Sequence, residues 1–462
     1  MKTLGILTIS LTLIFFSCKK ESFITSPDAR VIITEDTLKY DTVFVTSGSV
    51  YQFFKIINDN NQKLRLSSVK LMGGANSAYK INVDGIAGPQ VNNLEIEAND
   101  SLYVFVQVNV NQNANNLPFV IRDSIQVSYN GNNKLVQLEA WGQNAHFFRN
   151  KEISINETWN NDLPYVILGS LLIDPNKTLT INKGCRIYVH ADAPIVVDGT
   201  LQINGEKDTI DRVYFRGDRL DDPYKDYPAG WPGIFFRATS QNNIFNYAVL
   251  KNAYQAIAAV DLPPNAPIRK IILNECIIDN AYDAGIITVN SSIDARNCLV
   301  SNCGKNIVLT KGGDYLFTHC TVASYSNNFI LHKDSVLSVY DYDLSKPSII
   351  VSITATFSNC IFWGENGTVT NEVGIYQKSS GNNNITFNHV LWKVQSNPPN
   401  TTVIMPAINQ SPQFDSINIS KNFYSFRLKD SSPAINQGAN FGVLIDLDGK
   451  SRPLGIAPDL GC

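Results

Sequence analysis

The chain has 462 residues, of which 44% are hydrophobic, 10% aromatic and only 17% charged, and its formal net charge is −3. That length exceeds the usual single domain, so two are expected, and a polar remainder rich in Asn, Ser, Thr and Gly favours strands and turns over exposed helices. With no basic excess and no Lys/Arg cluster interleaved with aromatics, a phosphate-tracking nucleic-acid surface is excluded.

The first element is an apolar run from Leu4 to Phe16, preceded by Lys2 and followed by Ser17-Cys18-Lys19-Lys20. Thirteen residues are too few to span a bilayer and fit the hydrophobic region of a signal peptide over residues 1–17. One reading is an ordinary secretory signal cut near Ser17. The other rests on Ser17-Cys18 and the polar stretch to Arg30, which resembles the lipobox of bacterial lipoproteins, with Phe15 standing where Leu is usual. That resemblance implies lipidation of Cys18, a tether over 18–30, and a lipid anchor in the outer membrane or cell surface of a Gram-negative bacterium.

Residues 31–145 alternate apolar and polar in short runs, among them Phe53-Phe-Lys-Ile-Ile57, Leu102-Tyr-Val-Phe-Val-Gln-Val108 and Leu135-Val-Gln-Leu-Glu-Ala140. Turn clusters such as Asn58-Asp-Asn-Asn61, Gly73-Gly74 and Asn130-Gly-Asn-Asn133 separate them. About seven strands at this spacing predict a β-sandwich of immunoglobulin size, without the internal Cys pair of antibody domains. Tyr40-Asp-Thr-Val-Phe44, Val83-Asp-Gly85, Asn99-Asp-Ser-Leu-Tyr-Val-Phe-Val106, Asp123-Ser-Ile125 and Leu138-Glu-Ala-Trp-Gly-Gln143 resemble, in that order, the Ig-like domains that precede β-helices in bacterial surface lipoproteins.

From residue 150 to 462 the periodicity changes. Phe245-Asn-Tyr-Ala-Val-Leu250, Leu273-Asn-Glu-Cys-Ile-Ile278, Ala295-Arg-Asn-Cys-Leu-Val300, Phe317-Thr-His-Cys-Thr-Val322, Phe357-Ser-Asn-Cys-Ile-Phe362 and Thr386-Phe-Asn-His-Val-Leu391 align as repeats anchored at Ala248, Cys276, Cys298, Cys320, Cys360 and His389. A second register follows nine or ten residues later at Ile257, Ile286, Ile307, Ile330 and Val369. Two short strands per repeat predict a solenoid of stacked coils. The anchor cysteines then form one inward column, read as core filling by small soft side chains rather than as a redox or metal array. Asn252, Asn280 and Asn302, four residues after their anchors, read as a stacked amide ladder. The seven cysteines after Cys18 are odd in number, include no CxxC and have no His cluster beside them, so neither complete disulfide pairing nor a zinc site is expected.

Ile181-Asn-Lys-Gly184, Val197-Asp-Gly-Thr-Leu201 and Trp231-Pro-Gly-Ile-Phe235 resemble the first coils of right-handed parallel β-helices of the pectate-lyase-like superfamily. The tail, with Ser432-Pro-Ala-Ile-Asn-Gln-Gly438 and Asp446-Leu-Asp-Gly-Lys-Ser-Arg-Pro453, resembles the C-terminal segment common in such proteins. The expected fold is therefore all-β, an N-terminal Ig-like β-sandwich followed by a right-handed parallel β-helix.

Polysaccharide lyases on this fold need a uronate-neutralising cation and a Lys or Arg base, and glycosidases need flanking carboxylates. The repeats show neither as a column. Asp279, Asp283, Asp294, Arg296, Lys305, Lys311 and Asp314 are scattered, and the five histidines are dispersed. The richest polar segment runs from Arg216 to Trp231. There Asp218, Asp221, Asp222 and Asp226 offer oxygens to Ca²⁺, and Tyr224, Tyr227 and Trp231 offer faces to a sugar. The plainer alternative is a solvated loop with Arg219 paired to an aspartate and Trp231 packed on the helix. A second insertion, residues 333–350, brings Tyr340 and Tyr342 as further ligand-binding candidates. Asp446 and Asp448 lack the third acid and distal Glu of an EF-hand and read as a turn. The function expected is a non-catalytic surface lipoprotein binding glycan or a protein partner, with no cofactor unless Ca²⁺ binds. The alternative is a polysaccharide lyase or glycoside hydrolase of the same fold.

Overall fold

The computed structural model describes residues 22–44, 49, 51–109, 119–263, 269–379, 383–405 and 407–462, and the chain divides into two units, residues 1–144 and 145–462. The signal segment 1–17 and Cys18 lie outside the described residues.

The first unit is a two-sheet β-sandwich. Its described strands form a six-stranded and a five-stranded sheet, more than the seven expected, because short pieces such as Val31–Ile33 and Ile86–Ala87 are too brief to alternate visibly in sequence. The strand Ser101–Val108 shows why the residues fold this way. Leu102, Val104, Val106 and Val108 are buried, while Tyr103 and Phe105 point outward, the period-two pattern of a half-covered sheet. Two tyrosine hydroxyls tie the sheets across the core: Tyr40 donates to the Val106 carbonyl at 2.6 Å and Tyr79 to that of Ile121 at 3.0 Å. Part of the expected tether belongs to this unit. Phe23–Ile24 adds a parallel strand to Lys63–Leu71, and the Asn130 amide donates to the Ile24 and Ser26 carbonyls.

The second unit is a parallel β-helix. Twenty-five described strands join in one sheet network, and the ladder Val249, Ile277, Leu299, Thr321, Ile361, Leu391 runs in parallel through six successive coils. Inward residues fill the core in columns: Phe317, Phe357 and Phe387 stack with centroids 5.4 and 5.0 Å apart, close to the spacing of neighbouring strands. Cys276, Cys298, Cys320 and Cys360 form the expected inward column, each buried and free. Each thiol donates to nearby carbonyls, as Cys298 does to Arg296 at 3.2 Å, and burial pushes the Cys298 and Cys360 thiols well above the ordinary range. Against the same burial, hydrogen bonds with those two neighbours hold Cys320 lower, but all four side chains are buried out of reach of solvent, so the column packs the core.

Two repeat assignments are corrected. Phe357 pairs with Phe387 and Ile361 with Leu391, so the residue facing Cys360 is the buried Val390, and His389 faces Asn359. Sliding the alignment by one had put His389 in the core, because a one-residue slip exchanges the two sides of a strand. In the second register the strand partners after Ile307 are Leu337 and Val373, whereas Ile330 and Val369 lie in loops inserted before those strands.

The corners explain the asparagines. Asn252, Asn280 and Asn302 have φ of 61°, 58° and 50°, and the residue before each anchor is also left-handed, including Asn297, His319, Asn359 and His389. Asn is the side-chain-bearing residue that tolerates this conformation best. Each of the three-residue strands Ile277–Asp279 and Leu299–Ser301 is thus bounded by two sharp corners.

The tail does not close the end of the helix as a cap. It runs along one flank, beginning with the hairpin Phe414–Asn418 and Phe423–Leu428. Phe414, Phe426, Ala434, Leu447 and Leu460 cover outward-facing Leu299, Ala323, Ile361 and Leu391 in a second apolar cluster. Asn297 donates to the Ile445 carbonyl at 2.8 Å, Asn359 to that of Ala439 at 2.7 Å, and Arg212 to that of Leu447 at 2.8 Å. Asp446 accepts from the Asp448 and Lys450 backbone N–H groups, and Asp448 pairs with Arg427, so this segment is a turn.

Candidate functional site

The loop expected to carry the site leaves the helix after the strand Val213–Gly217 and returns at Trp231–Phe236. Trp231 is corrected first. It is 0% exposed, its indole N–H donates to the Lys251 carbonyl at 2.8 Å, and its ring lies 6.3 Å from Phe215, so it has no face to offer a sugar. Its place at the start of a strand, at an inward position, is why.

The four aspartates do not converge as one Ca²⁺ ligand set. Asp218 is held by His190 Nδ1 at 2.7 Å; burial pushes its carboxyl above the usual range, with the imidazole opposing. Asp221 takes a two-pronged contact from Arg219 at 2.7 and 2.8 Å, and that guanidinium lies 3.8 Å from the Tyr224 ring centroid. Asp222 pairs with Lys225 at 2.8 Å. Among the described residues no group of three His, Cys, Asp or Glu side chains is placed to hold a metal ion. Tyr224 and Tyr227 are exposed, 5.3 Å apart, and Tyr227 rests on Phe329 at 5.0 Å.

What the loop builds instead is one wall of a groove. The amide ladder pins it: Asn252 donates to the Lys225 carbonyl at 2.7 Å, and Asn280 donates to the Asp226 carbonyl at 3.0 Å and to Asn252 Oδ1 at 2.9 Å. Arg216 donates to the same Lys225 carbonyl at 3.1 Å. Beneath lies a recess of about 210 Å³ whose walls include Asp226, Asn280, Asn302, Asn327, Asn422 and Tyr424. It shares Lys251, Asp279, Asn422 and Tyr424 with a second recess of about 500 Å³ that follows the tail hairpin past Phe423 and Phe426. Asp279 is occupied by Ser301 at 2.8 Å and Lys251 at 3.3 Å. The Tyr424 hydroxyl is buried at the junction and has no hydrogen-bond partner among the described residues. A buried hydroxyl of that kind is a costly arrangement unless something in the groove completes it.

Tyr340 and Tyr342 form a separate cluster. Tyr340 stacks on Tyr376 at 4.6 Å, Tyr342 meets it edge-on at 5.5 Å, and Lys378 Nζ lies 4.4 Å over the Tyr342 ring. None of these residues lines the groove. Asp226, Lys225 and the amide corners do, but Asn422 and Tyr424 come from the tail, and nothing in their local sequence marks them. The one available signal was the asparagine spacing, which reads as structure and is also a wall. A buried His332–Glu372 pair, 2.9 Å apart, likewise has no sequence signature.

No family model matches the chain, and no curated protein matches it. Among solved structures, a family 123 glycoside hydrolase from Clostridium perfringens, described in terms of glycolipid glycan hydrolysis, aligns at 12% identity. The alignment covers 26% of this chain and 30% of that one, with a TM-score of 0.19, and likeness of that size carries no argument.

Proposed function

We propose that the chain is an exported lipoprotein, anchored through Cys18 at the outer membrane or cell surface, that binds glycan in the amide-lined groove without cleaving it. The observation that carries the reading is the Tyr424 hydroxyl, buried and without a partner among the described residues where a polar recess meets a mixed polar and apolar one, in a lining it shares with Asn280, Asn302, Asn327 and Asn422. Amides both donate and accept, as sugar hydroxyls do, and an aromatic ring beside them can offer its face to the apolar side of a pyranose. Binding without cleavage is supported by the two carboxylates that line the groove, Asp226 and Asp279: the second is engaged by Lys251 and Ser301, which leaves it a poor partner for Asp226 in a proton-shuttling pair. Anchoring rests on the sequence at Ser17-Cys18.

The test is a glycan array with and without Ca²⁺, followed by product analysis of every hit. Expected is binding without products, weakened by Tyr424→Phe and by Asn422→Ala. Unsaturated or new reducing-end products would overturn the non-catalytic reading and favour a lyase or glycosidase. Absence of any glycan binding would overturn the glycan reading in favour of a protein partner. Metabolic labelling with a fatty-acid analogue, lost in Cys18→Ser, tests the anchor.

A further inference from the structure

The outer face of the five-stranded sheet in the sandwich has the wrong composition for a surface left to water. In the neighbouring strands Gln52–Asn58 and Ser101–Val108 the outward positions include Phe53, Lys55, Tyr103 and Phe105, with Phe53 directly opposite Phe105 and Lys55 opposite Tyr103. Phe53 is 50% exposed and Tyr103 and Phe105 38% each, and Tyr51 next to them is 64% exposed. Their rings gather rather than scatter: Phe53 lies 5.4 Å from Tyr103 and 5.9 Å from Phe105, and the latter two are near-parallel at 5.8 Å. Beside them is an open recess of about 490 Å³ between Tyr51, Phe105, Lys80, Asn82 and Gly85. A gathered, half-exposed aromatic patch on a soluble sheet marks a contact surface.

Charge identifies the occupant. The five strands of this sheet contain two charged residues, Lys55 and Lys80, in a chain whose net charge is −3; Asp84 and Asp100 stand at its turns. Lys55 Nζ sits 4.7 Å over the Tyr103 ring, and Lys80 borders the recess. One ammonium lies over Tyr103 and the other borders the recess beside the Asn82 amide, an arrangement that matches a sugar chain carrying anionic groups: pyranose C–H faces lie on Phe105 and Tyr51, and carboxylate or sulfate meets the lysines. A second copy of the chain is the poorer fit, since strands that carry Lys55 and Lys80 and no acid offer their own copy no opposite charge.

We propose that this face is a second ligand site, independent of the groove, that takes an anionic polysaccharide. Polygalacturonate and chondroitin sulfate are the probes, with fully methyl-esterified pectin as the neutral counterpart, titrated calorimetrically against the full chain in detergent. The expected result is binding of at least one acidic polymer and not of the ester. Tyr103→Ala with Phe105→Ala should weaken it roughly tenfold or more. Lys55→Gln with Lys80→Gln should weaken it and flatten its dependence on salt, whereas the groove substitution Tyr424→Phe should leave it unchanged. The four substituted side chains are exposed or half-exposed, and melting curves matching the parent confirm that the fold is kept. Failure of both acidic polymers to bind overturns the proposal, as does equal binding of the ester or binding indifferent to both double substitutions. Loss of binding in Tyr424→Phe alone would assign the polymer to the groove instead. A dimer that dissociates on Tyr103→Ala would make the face a self-contact and overturn the proposal as well.

Discussion

Replacing Asn280 by glycine and, separately, by alanine resolves what one corner amide contributes. Its Nδ2 makes two donations, to the Asp226 carbonyl at 3.0 Å and to Asn252 Oδ1 at 2.9 Å, and its backbone sits at φ 58°. Glycine keeps the left-handed corner and removes only the amide. At about 1 kcal/mol per hydrogen bond, with some added cost for acceptors left unpaired in a part-buried site, Asn280→Gly should cost roughly 2–3 kcal/mol. Alanine removes the same bonds and adds the left-handed penalty of roughly 1–2 kcal/mol, so it should cost roughly 3–5 kcal/mol. Urea unfolding followed by tryptophan fluorescence suits the measurement, because Trp159, Trp231, Trp363 and Trp392 all belong to the β-helix and Trp141 alone to the sandwich. The two units need separate transitions in the fit. A glycine variant within 0.5 kcal/mol of the parent (about the scatter of neutral surface changes) would refute the clamp. Equal costs for glycine and alanine would refute the corner argument.

Three further outcomes follow from buried groups. Lys270 donates to the carbonyls of Arg237, Ala238 and Val260, and burial pushes its pKa down to about 8. Since the unfolded ammonium titrates near 10.4, the native state binds fewer protons between these values. The stability of the parent relative to Lys270→Met should therefore rise with pH from about 8 to roughly 10.4 in paired melts, and a flat difference would refute the assignment. His319, beneath the tail at Arg452, has its pKa lowered to about 3, by burial first and then by the guanidinium. The unfolded imidazole binds protons from about 6.5 downward, so stability falls as pH drops through that range. The loss approaches roughly 2 kcal/mol at pH 5; proteolysis of the tail should accelerate there, and less so in His319→Gln. The column of Cys276, Cys298, Cys320 and Cys360 should resist a thiol reagent until the helix unfolds, and rapid native labelling of any of the four would contradict its role as core.

The solenoid was legible in sequence because each coil repeats the same demand. An apolar residue three positions before a small inward anchor (Phe245, Leu273, Ala295) and Asn four positions after it restate one geometry three times between Ala248 and Asn302. Legibility failed where that demand relaxed. At His389 two plausible registers differed by one residue, and only strand pairing with Phe357 and Ile361 decides between them. At Leu337 and Val373 inserted loops broke the spacing on which counting depends. The groove was half visible. Its amide wall follows from the repeat, but its other wall, Asn422 and Tyr424, is delivered from more than a hundred residues away along the chain by packing of Phe426 and Leu447 on Leu299. No local pattern encodes a contact of that kind. Trp231 stands between two readings in sequence, because aromatic residues beside a polar loop look alike whether they face the core or the solvent; the structure takes the plainer one, with Trp231 packed on the helix and Arg219 paired to Asp221.

The flank-bound tail also bears on how this array comes apart and together. In a stacked solenoid each coil touches only its neighbours, so the ends fray independently of the middle. Here the segment from Ala439 to Gly461 reaches Arg212, Asn297, His319 and Asn359, spanning coils that are far apart in sequence. A contact between Arg212 and Leu447 closes a loop of 235 residues. Coils can thus form one by one, but they remain a ladder without a bolt until the segment from Ala439 to Gly461 shoots home across them. Assembly is then directional, and the last step makes a string of local steps into one cooperative body.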